Sequence, residues 1–325
     1  MPNIWTHLLF GQEALAEAGL AEWIEDENRK RLFNMGCQGP DFLFYHQFFP
    51  WQRITVMNEI GAAMHNEHCG PFLLDLLSSV PSRQPENRVY ALGFLLHHIL
   101  DRHMHPYVFV RSGFRKWDHQ RFEVLMDTHI VRRKTSMETW KTPVWKEINT
   151  GGQFPQEIVR LFMELSDKYY PELAHKAKPE YWNDANRDML RAQRLFHDPY
   201  GLKTALTFRQ IEPFVYKRNI PPYDVLNETR TAWPDPTGTD ETYTTSIWDM
   251  WETAREDAAC VLAAAIDYWK VRDNAQAANG PDAEQDIEHA YVTLQEAIGN
   301  RSYETGLELE HNRPITVEDP IWRIG

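Results

Sequence analysis

The sequence predicts an all-α fold, because apolar residues recur at the spacing of a helix face in nearly every periodic segment. The clearest stripe lies towards the C-terminus and consists of Trp248, Trp251, Ala258, Leu262, Ile266 and Trp269. Another stripe consists of Val89, Leu92, Leu96, Ile99 and His103. Continuous alternation of apolar and polar residues, which indicates strands, is nearly absent from the sequence. A mixed α+β chain would need strands in 205–217 or 315–323, and both stretches are short.

The predicted helices follow one another with turn-rich breaks between them. One runs from about Pro85 to Met104 and is expected to end at His105, because the residue before Pro106 avoids the helical region. Another begins near Trp117. Three apolar stripes mark this helix and two later ones: Phe122, Leu125, Met126 and Ile130; Ile158, Phe162, Leu165 and Tyr169; and Met189, Ala192, Leu195 and Phe196. The proline-rich stretch 219–245 is expected to be a lid, a binding loop or disordered.

The composition is that of a globular protein, with 42% apolar and 25% charged residues in a chain of 325. The 47 acidic residues outnumber the 34 basic ones, and the net charge of −13 weighs against long nucleic acids and against stable binding to an anionic membrane. We read no signal peptide and no membrane-spanning run, so a cytoplasmic location is expected. Three distant cysteines favour free thiols: Cys37, Cys69 and Cys260.

Histidine is concentrated early in the sequence, since ten of the 14 histidines lie before residue 130. His97, Asp101 and His105 are each four residues apart, so one helix face presents imidazole, carboxylate and imidazole. His119 and Glu123 repeat this spacing on the next helix. A lone buried histidine is more often a hydrogen-bonded core residue than a ligand. An unpaired charge among apolar neighbours is costly, however, and a bound cation removes that cost, so the repeated pairs predict metal binding.

Two other metal architectures fit the sequence less well. Ferritin-like di-iron proteins use two Glu-x-x-His motifs, and Glu172 to His175 is the one copy that we find. A phosphohydrolase of the HD type would use a His-Asp pair on a helix. The single pair, His197-Asp198, precedes Pro199 and therefore marks a helix end.

Five stretches together resemble the zinc-dependent phospholipase C and fungal single-strand nuclease superfamily. They are Trp5-Thr6-His7, Gly39-Pro40-Asp41-Phe42, Met64-His65, Leu96-His97-x-x-x-Asp101 followed by His105-Pro106, and His119-x-x-x-Glu123. Their order along the chain is the order in the family, and they cover roughly residues 1–130. The resemblance implies two or three zinc ions in a cleft between helices. Because no clean linker divides the sequence, we expect one helical domain over 1–325, with the metal ligands in 1–135 and a helical C-terminal part in 136–325.

The ligand sets that the resemblance implies are Asp41, His65, His97 and Asp101 for one zinc; Asp101, His7 and the N-terminal amine and carbonyl for a second; and His105, His119 and Glu123 for a third. The N-terminus departs from the family pattern, because Trp5 is internal here. Met1 or Pro2 is then left to supply the amine, unless solvent replaces it or the second ion is absent. The competing histidines are His68 for His65, His98 for His97 and His103 for His105.

The resemblance further implies a zinc-dependent phosphodiester hydrolase that acts on a small phosphoester or a phospholipid. Asp41 would orient or deprotonate the attacking water, or would serve only as a ligand. Two alternatives stay open: a nuclease or nucleotide phosphodiesterase of the same fold, and a non-catalytic protein whose metals staple the helices. Six aromatic residues near Asp41 predict either core packing or an apolar wall beside the cleft: Phe42, Phe44, Tyr45, Phe48, Phe49 and Trp51.

Overall fold

The protein, seen in a computed structural model, is built almost entirely of α-helices, as the periodicity predicts. The structure describes residues 3–49, 52–81, 84–278 and 281–323. A small antiparallel hairpin joins strand β1 (Trp233–Pro234) to strand β2 (Thr242–Tyr243), with Trp233 opposite Tyr243. The hairpin lies outside both 205–217 and 315–323, the stretches that a mixed fold would have used.

The helices differ widely in length, from a single turn to more than eight turns. In chain order they are α1 (Ile4–Glu17), α2 (Glu27–Gly36), α3 (Val56–Asn66), α4 (Cys69–Ser79), α5 (Pro85–Ser112), α6 (Asp118–Lys134), α7 (Gln156–Tyr169), α8 (Pro171–Ala174), α9 (Pro179–Phe196), α10 (Leu202–Leu206), α11 (Ile247–Ala278) and α12 (Pro281–Ile298). Short 3₁₀ turns connect several of them, and the turn at Gly39–Tyr45 contributes to the site described below.

Helix α5 forms the centre of the molecule, because its sequence is apolar on nearly every face between Val89 and Leu100. Helices α1, α2, α4, α6 and α11 pack around it. The hydrophobic core is continuous from Ile4 in α1 to Ile321 near the end of the described chain. Polar side chains on α5 are therefore buried unless a neighbouring element leaves an opening.

The prediction that this helix ends at His105 is wrong, because α5 continues through Pro106 to Ser112. Proline cannot donate to the carbonyl four residues earlier, so the carbonyl of Arg102 loses its helical partner. Gly306 lies directly against that carbonyl, and a Cβ at Gly306 would come within 2.2 Å of the oxygen. A glycine from the C-terminal segment thus covers the defect that the proline creates.

The other predicted helices are present. Helix α6 begins at Asp118, after Trp117, whose backbone is left-handed with φ 72°. The stripe from Ile158 to Tyr169 lies on α7, the stripe from Met189 to Phe196 on α9, and the stripe from Trp248 to Trp269 on α11. In each case the apolar positions face the core, as helix amphipathicity requires.

The proline-rich stretch 219–245 is ordered by contacts to α5 and by its own hairpin. Trp233 is buried, and its ring packs edge-on against Tyr107 of α5 with the ring centroids 5.3 Å apart. The side chain of Asn227 donates to the carbonyls of Thr231 and Thr245, which closes the stretch at its base. Across the described ranges, each helix is too short or too polar to cross a membrane.

Candidate metal centre

One face of α5 carries three of the predicted ligands. His97, Asp101 and His105 lie on successive turns and are almost completely buried. Because the helix is packed on all sides, these groups can meet only the side chains that neighbouring elements bring to them. Helix α1 brings His7, and α3, which starts at a capping box, brings His65 near its C-terminal end. The 3₁₀ turn Gly39–Tyr45 and helix α6 bring the remaining predicted ligands: Asp41, His119 and Glu123.

The inner group of side chains is arranged around Asp101 and Asp41. His97 Nε2 lies 3.0 Å from Asp101 Oδ2, and His7 Nε2 lies 3.3 Å from Asp101 Oδ1. His97 Nε2 also lies 3.8 Å from Asp41 Oδ1, which is 3.3 Å from His65 Nε2. The two triplets, His7–His97–Asp101 and Asp41–His65–His97, therefore share His97. The rings of His7 and His97 are stacked with their centroids 4.2 Å apart.

The outer group lies one turn further along α5. His119 Nε2 is 2.6 Å from Glu123 Oε1, and both residues form a third triplet with His105. His105 Nε2 also lies 3.8 Å from Asp101 Oδ1, so the outer group adjoins the inner one. The side chain of His119 is 21% exposed, whereas Asp41 at 9% is the most exposed side chain of the inner group. The outer triplet is therefore the part nearest to solvent.

The donor atoms of the inner group fit a bound cation. Two zinc ligands at about 2.0–2.1 Å in tetrahedral geometry are about 3.3 Å apart, and the measured gaps run from 3.0 to 3.8 Å. Several buried donor atoms find no hydrogen-bond partner among the described residues: both ring nitrogens of His7, Asp41 Oδ1, His97 Nε2, and both carboxylate oxygens of Asp101. Orphaned buried polar atoms are costly. A zinc ion matches this set of nitrogen and oxygen donors.

Backbone carbonyls hold three of the imidazoles in one orientation. Nδ1 of His97 hydrogen-bonds to the carbonyl of Cys37 at 3.1 Å, just beyond the end of α2. Nδ1 of His65 bonds to the carbonyl of Gly61 at 2.7 Å, and Nδ1 of His105 bonds to that of Tyr303 at 2.8 Å. A carbonyl can only accept, so each Nδ1 donates to it, and Nε2 is the ring nitrogen that is left to face an ion.

A glycine lets Asp41 approach the helix. Gly39 has φ +49°, and a Cβ at this position would lie 2.1 Å from the ring of His97. Any other residue would push the 3₁₀ turn away from α5, and Asp41 would move with it. The Gly39-Pro40-Asp41 stretch is therefore needed for packing as well as for its carboxylate.

The protonation states of these groups suit metal binding. Burial lowers the pKa of His7, helped by the neighbouring His97, and burial holds the pKa of His105 well below its ordinary value. Burial would raise the pKa of Asp101, but the surrounding imidazoles hold it well below its usual range. Burial opposes a proton on His97 as well, yet the carboxylates of Asp101 and Asp41 raise its pKa. A cation satisfies the same carboxylates without that proton.

Comparison with known proteins identifies the family. The family described as zinc dependent phospholipase C matches residues 6–186, which is more than half of the chain. The chain belongs to the zinc-dependent phospholipase C family. No curated protein and no solved structure gives a match. Every predicted ligand from His7 to Glu123 lies inside the matched range, so family membership and the three triplets together indicate a zinc-binding, phospholipase C-like hydrolase.

Helix α6 fixes the end of α1 that carries His7. The backbone N–H groups of Trp5 and Thr6 donate to the carboxylate of Asp127 at 3.0 and 2.8 Å. The hydroxyls of Thr6 and Tyr216 donate to the same carboxylate. Asp127 is fully buried, and burial raises its pKa to about 6. This anchor sets the position of His7, the next residue of α1.

The competing histidines have other partners in this member of the zinc-dependent phospholipase C family. His103 Nε2 bonds to Asp257 of α11 at 2.7 Å, and His98 Nε2 bonds to the carbonyl of Arg301 at 2.9 Å. His68 is exposed in a left-handed conformation before α4. All three lie outside the triplets formed by the described residues.

The aromatic residues near Asp41 divide between the two expected roles. Phe42 is fully buried and packs against Phe154, with the ring centroids 5.1 Å apart. Phe44 is 40% exposed, and its ring lies 5.3 Å from that of His65, beside the cleft. Three further expectations fall on residues outside the described ranges: Trp51 as an aromatic neighbour, and Met1 or Pro2 as zinc ligands.

The C-terminal segment contributes to the site in a way that sequence reasoning missed. The carbonyl of Tyr303 accepts from His105, and its N–H donates to the carbonyl of His65 at 3.1 Å. The Tyr303 ring also lies against His98, with the centroids 4.4 Å apart. This segment lies beyond residue 186, where the family match ends, and has no helical periodicity. Its contacts are mostly made by backbone atoms, which leave no signature in the sequence.

Proposed function

We propose that this protein is a zinc-dependent phosphodiester hydrolase with a multinuclear metal centre. The observation that carries the proposal is that the two carboxylate oxygens of Asp101 face different imidazoles, Oδ1 facing His7 and Oδ2 facing His97, so this carboxylate could serve two cations in one cleft. Bound zinc ions would supply Lewis acidity toward the phosphoryl oxygens and would lower the pKa of water near neutral pH. The net charge of −13 is no barrier to an anionic substrate at such a centre.

The proposed ligands are the residues that the resemblance implied. They are His7 with Asp101; Asp41, His65 and His97 with Asp101; and His105, His119 and Glu123. Backbone carbonyls hold the Nδ1 atoms of His65, His97 and His105, so their Nε2 atoms are the ones that face the cleft. This orientation supports ligation of an ion and leaves little room for the imidazoles to act as general bases.

Asp41 has the further role of orienting or deprotonating the attacking water. Its carboxylate is the most exposed of the inner group, and Oδ1 faces His65 and His97. The second carboxylate oxygen can then accept a proton from a water that approaches through the opening. A phosphodiester enters from the same side, past Phe44 and the outer triplet.

A phospholipid is the substrate class that the cleft wall supports best. Phe44 places an exposed apolar ring beside His65, and Phe49, which is 37% exposed, stacks on Phe48 with the ring centroids 4.6 Å apart. An apolar rim next to a phosphate-binding centre suits a phosphodiester whose leaving group is a diacylglycerol. The one-domain organisation remains part of the proposal, since His105 and Tyr303 link its two parts across the centre.

The test compares two histidines that lie three residues apart. His65→Asn removes a proposed ligand, whereas His68→Asn changes an exposed histidine and suits its left-handed backbone. We expect the wild type and His68→Asn to contain zinc and to hydrolyse phosphodiesters, and His65→Asn to lose both properties. The panel contains phosphatidylcholine, a soluble nitrophenyl diester and a dinucleotide. Zinc-loaded wild type that turns over none of them would show that the metals are structural.

A further inference from the structure

One short segment carries four large apolar side chains on its surface. Tyr200, Leu202, Leu206 and Phe208 are 85%, 67%, 80% and 89% exposed. Single exposed apolar residues are ordinary, whereas four within nine positions concentrate exposed apolar surface on one short segment. We refer to these four residues as the apolar tip.

The fold holds the apolar tip in a fixed shape. Asp198 accepts from the backbone N–H groups of Lys203 and Thr204, which fastens the start of α10. Phe208 and Arg209 both have left-handed backbones, with φ 50° and 66°. Side chains other than glycine seldom adopt this conformation, so surrounding contacts must maintain it. The exposure of Phe208 is therefore a built feature of the loop.

The chain just after the apolar tip packs against the residue that precedes α6, the helix that carries two ligands of the outer triplet. Phe214, which follows the tip, packs against Trp117 with the ring centroids 5.1 Å apart. Trp117 and its neighbour Phe114 are 39% and 50% exposed. His119 follows Trp117 by two residues, so the contact of Phe214 with Trp117 joins the segment that carries the tip to the start of the helix that carries His119.

The charge around the apolar tip is opposite to that of the whole chain. Residues 191–218 contain six basic and two acidic side chains, and residues 111–121 contain four basic and one acidic. Some of these basic residues are ion-paired with carboxylates, among them Arg191 with Asp188, Arg111 with Asp319 and Lys217 with Glu212, and the surface remains basic without them. The chain as a whole carries −13. Arg209 and Arg115 are exposed beside the apolar groups. Apolar side chains surrounded by basic ones match the acyl region and the phosphates of a lipid surface.

We propose that this face docks on a phospholipid bilayer that contains anionic lipid. The apolar tip, Phe114 and Trp117 enter the boundary between headgroups and acyl chains, and the basic side chains lie against lipid phosphates. The net charge of the whole chain weighs against binding to such a membrane. The docking face is basic, however, and it is the charge of this face that meets the lipid phosphates. Docking would bring the metal cleft close to the phospholipids of the bilayer. This benefit rests on the proposed function, in which a phospholipid is the substrate.

The test measures binding to vesicles separately from catalysis. Wild type and the double variant Leu206→Ser, Phe208→Asn are sedimented with vesicles of equimolar phosphatidylcholine and phosphatidylglycerol. Both side chains are exposed, and asparagine tolerates the left-handed backbone of position 208, so folding is retained. The matched control is Val292→Asn, an exposed apolar position on α12. We expect the double variant to bind about tenfold less and the control to bind as the wild type does.

The docking proposal and the proposed hydrolysis can fail independently of each other, because vesicle binding and turnover are measured separately. Equal sedimentation of the double variant and the wild type overturns the docking proposal, as does equal binding to vesicles of phosphatidylcholine alone. So does a wild-type dimer, seen by light scattering, that the double variant breaks while neither binds vesicles, because a second copy then covers the tip. Turnover of a soluble nitrophenyl diester reports the metal centre independently. Vesicle binding without any such turnover supports docking and counts against the proposed hydrolysis.

Discussion

Two regions of the molecule build the metal centre in different ways. Residues 7–123 supply every side chain of the three triplets, and five of the eight stand four residues apart on α5 and α6, a spacing that is visible in the sequence. Residues 216–303 supply groups that support the site from around it. The carbonyl of Tyr303 accepts from the ligand His105, the hydroxyl of Tyr216 donates to Asp127, and the carboxylate of Asp257 accepts from Arg102 and His103 beside the ligands of α5. The comparison predicts that changes in the first region alter metal content. Changes in the second region should alter stability and leave the metals in place.

Replacing the shared carboxylate is the strongest way to test the first region. Asp101→Asn removes a charge that faces His7, His97 and His105 at once. We expect kcat/KM for a phosphodiester to fall by about 10³-fold, equivalent to about 4 kcal/mol, because adjacent ions lose their common ligand. Metal analysis should show loss of zinc from the inner group. Asp273→Asn, which removes a carboxylate paired with Arg88 near the surface, should keep the wild-type zinc content.

The ring of Tyr303 provides the matching test of the second region. It is buried against the rings of His65, His97 and His98. Tyr303→Ala leaves a cavity and should lower the free energy of unfolding by about 3–4 kcal/mol. The backbone carbonyl remains in place, so His105 keeps its acceptor and zinc content should stay at the wild-type level.

Tyr303→Phe separates packing from polarity at the same position. The ring is kept, so urea unfolding should place this variant within about 1 kcal/mol of the wild type. If Tyr303→Ala instead loses zinc while remaining as stable as the wild type, the division between ligand and supporting regions is wrong.

The difference between the regions also explains what the sequence could predict. The triplets on α5 and α6 follow from a local rule, since residues four apart share a helix face. The end of α5 at His105 followed from a local rule too, and it was wrong, because Gly306 covers the carbonyl that Pro106 leaves without a partner. The hydrogen bond from His105 to the carbonyl of Tyr303 could not be predicted in this way. Any residue can offer a backbone carbonyl, so no residue pattern in the sequence indicates such a contact.

A milder test compares the two groups of ligands. His119→Ala removes a member of the outer triplet and leaves both inner triplets intact. We expect the chain to lose one zinc equivalent and kcat/KM to fall about 10- to 100-fold, because the outer group stabilises charge at the edge of the cleft. His175→Ala changes an exposed histidine beyond the cleft and serves as the control. Loss of all zinc from His119→Ala would show that the outer triplet is needed to assemble the inner group.

A small effect on stability is expected at Asp257, which links α11 to α5 beside the metal centre. Its carboxylate accepts from Arg102 Nε at 3.0 Å and from His103 Nε2 at 2.7 Å. Burial would raise the pKa of Asp257, but the hydrogen bonds from His103 and Arg102 outweigh it and hold the pKa at about 2. A folded-state pKa below the unfolded value of about 3.9 stabilises the protein above that value. This stabilisation is lost as the pH falls through about 2.

Asp257→Asn should therefore lower the free energy of unfolding by about 1–2 kcal/mol at pH 7, after allowance for screening at a partly exposed group. By pH 3 the difference from the wild type should fall to about half, because much of the wild-type carboxylate is then protonated on unfolding. Chelator present at each pH keeps acid release of zinc out of the comparison. Glu252→Gln, an exposed position on the same helix, should show no such trend. If the free energies of unfolding of wild type and Asp257→Asn differ by the same amount at pH 7 and pH 3, Asp257 acts through packing. The charge of its carboxylate would then contribute nothing to the support of the metal centre.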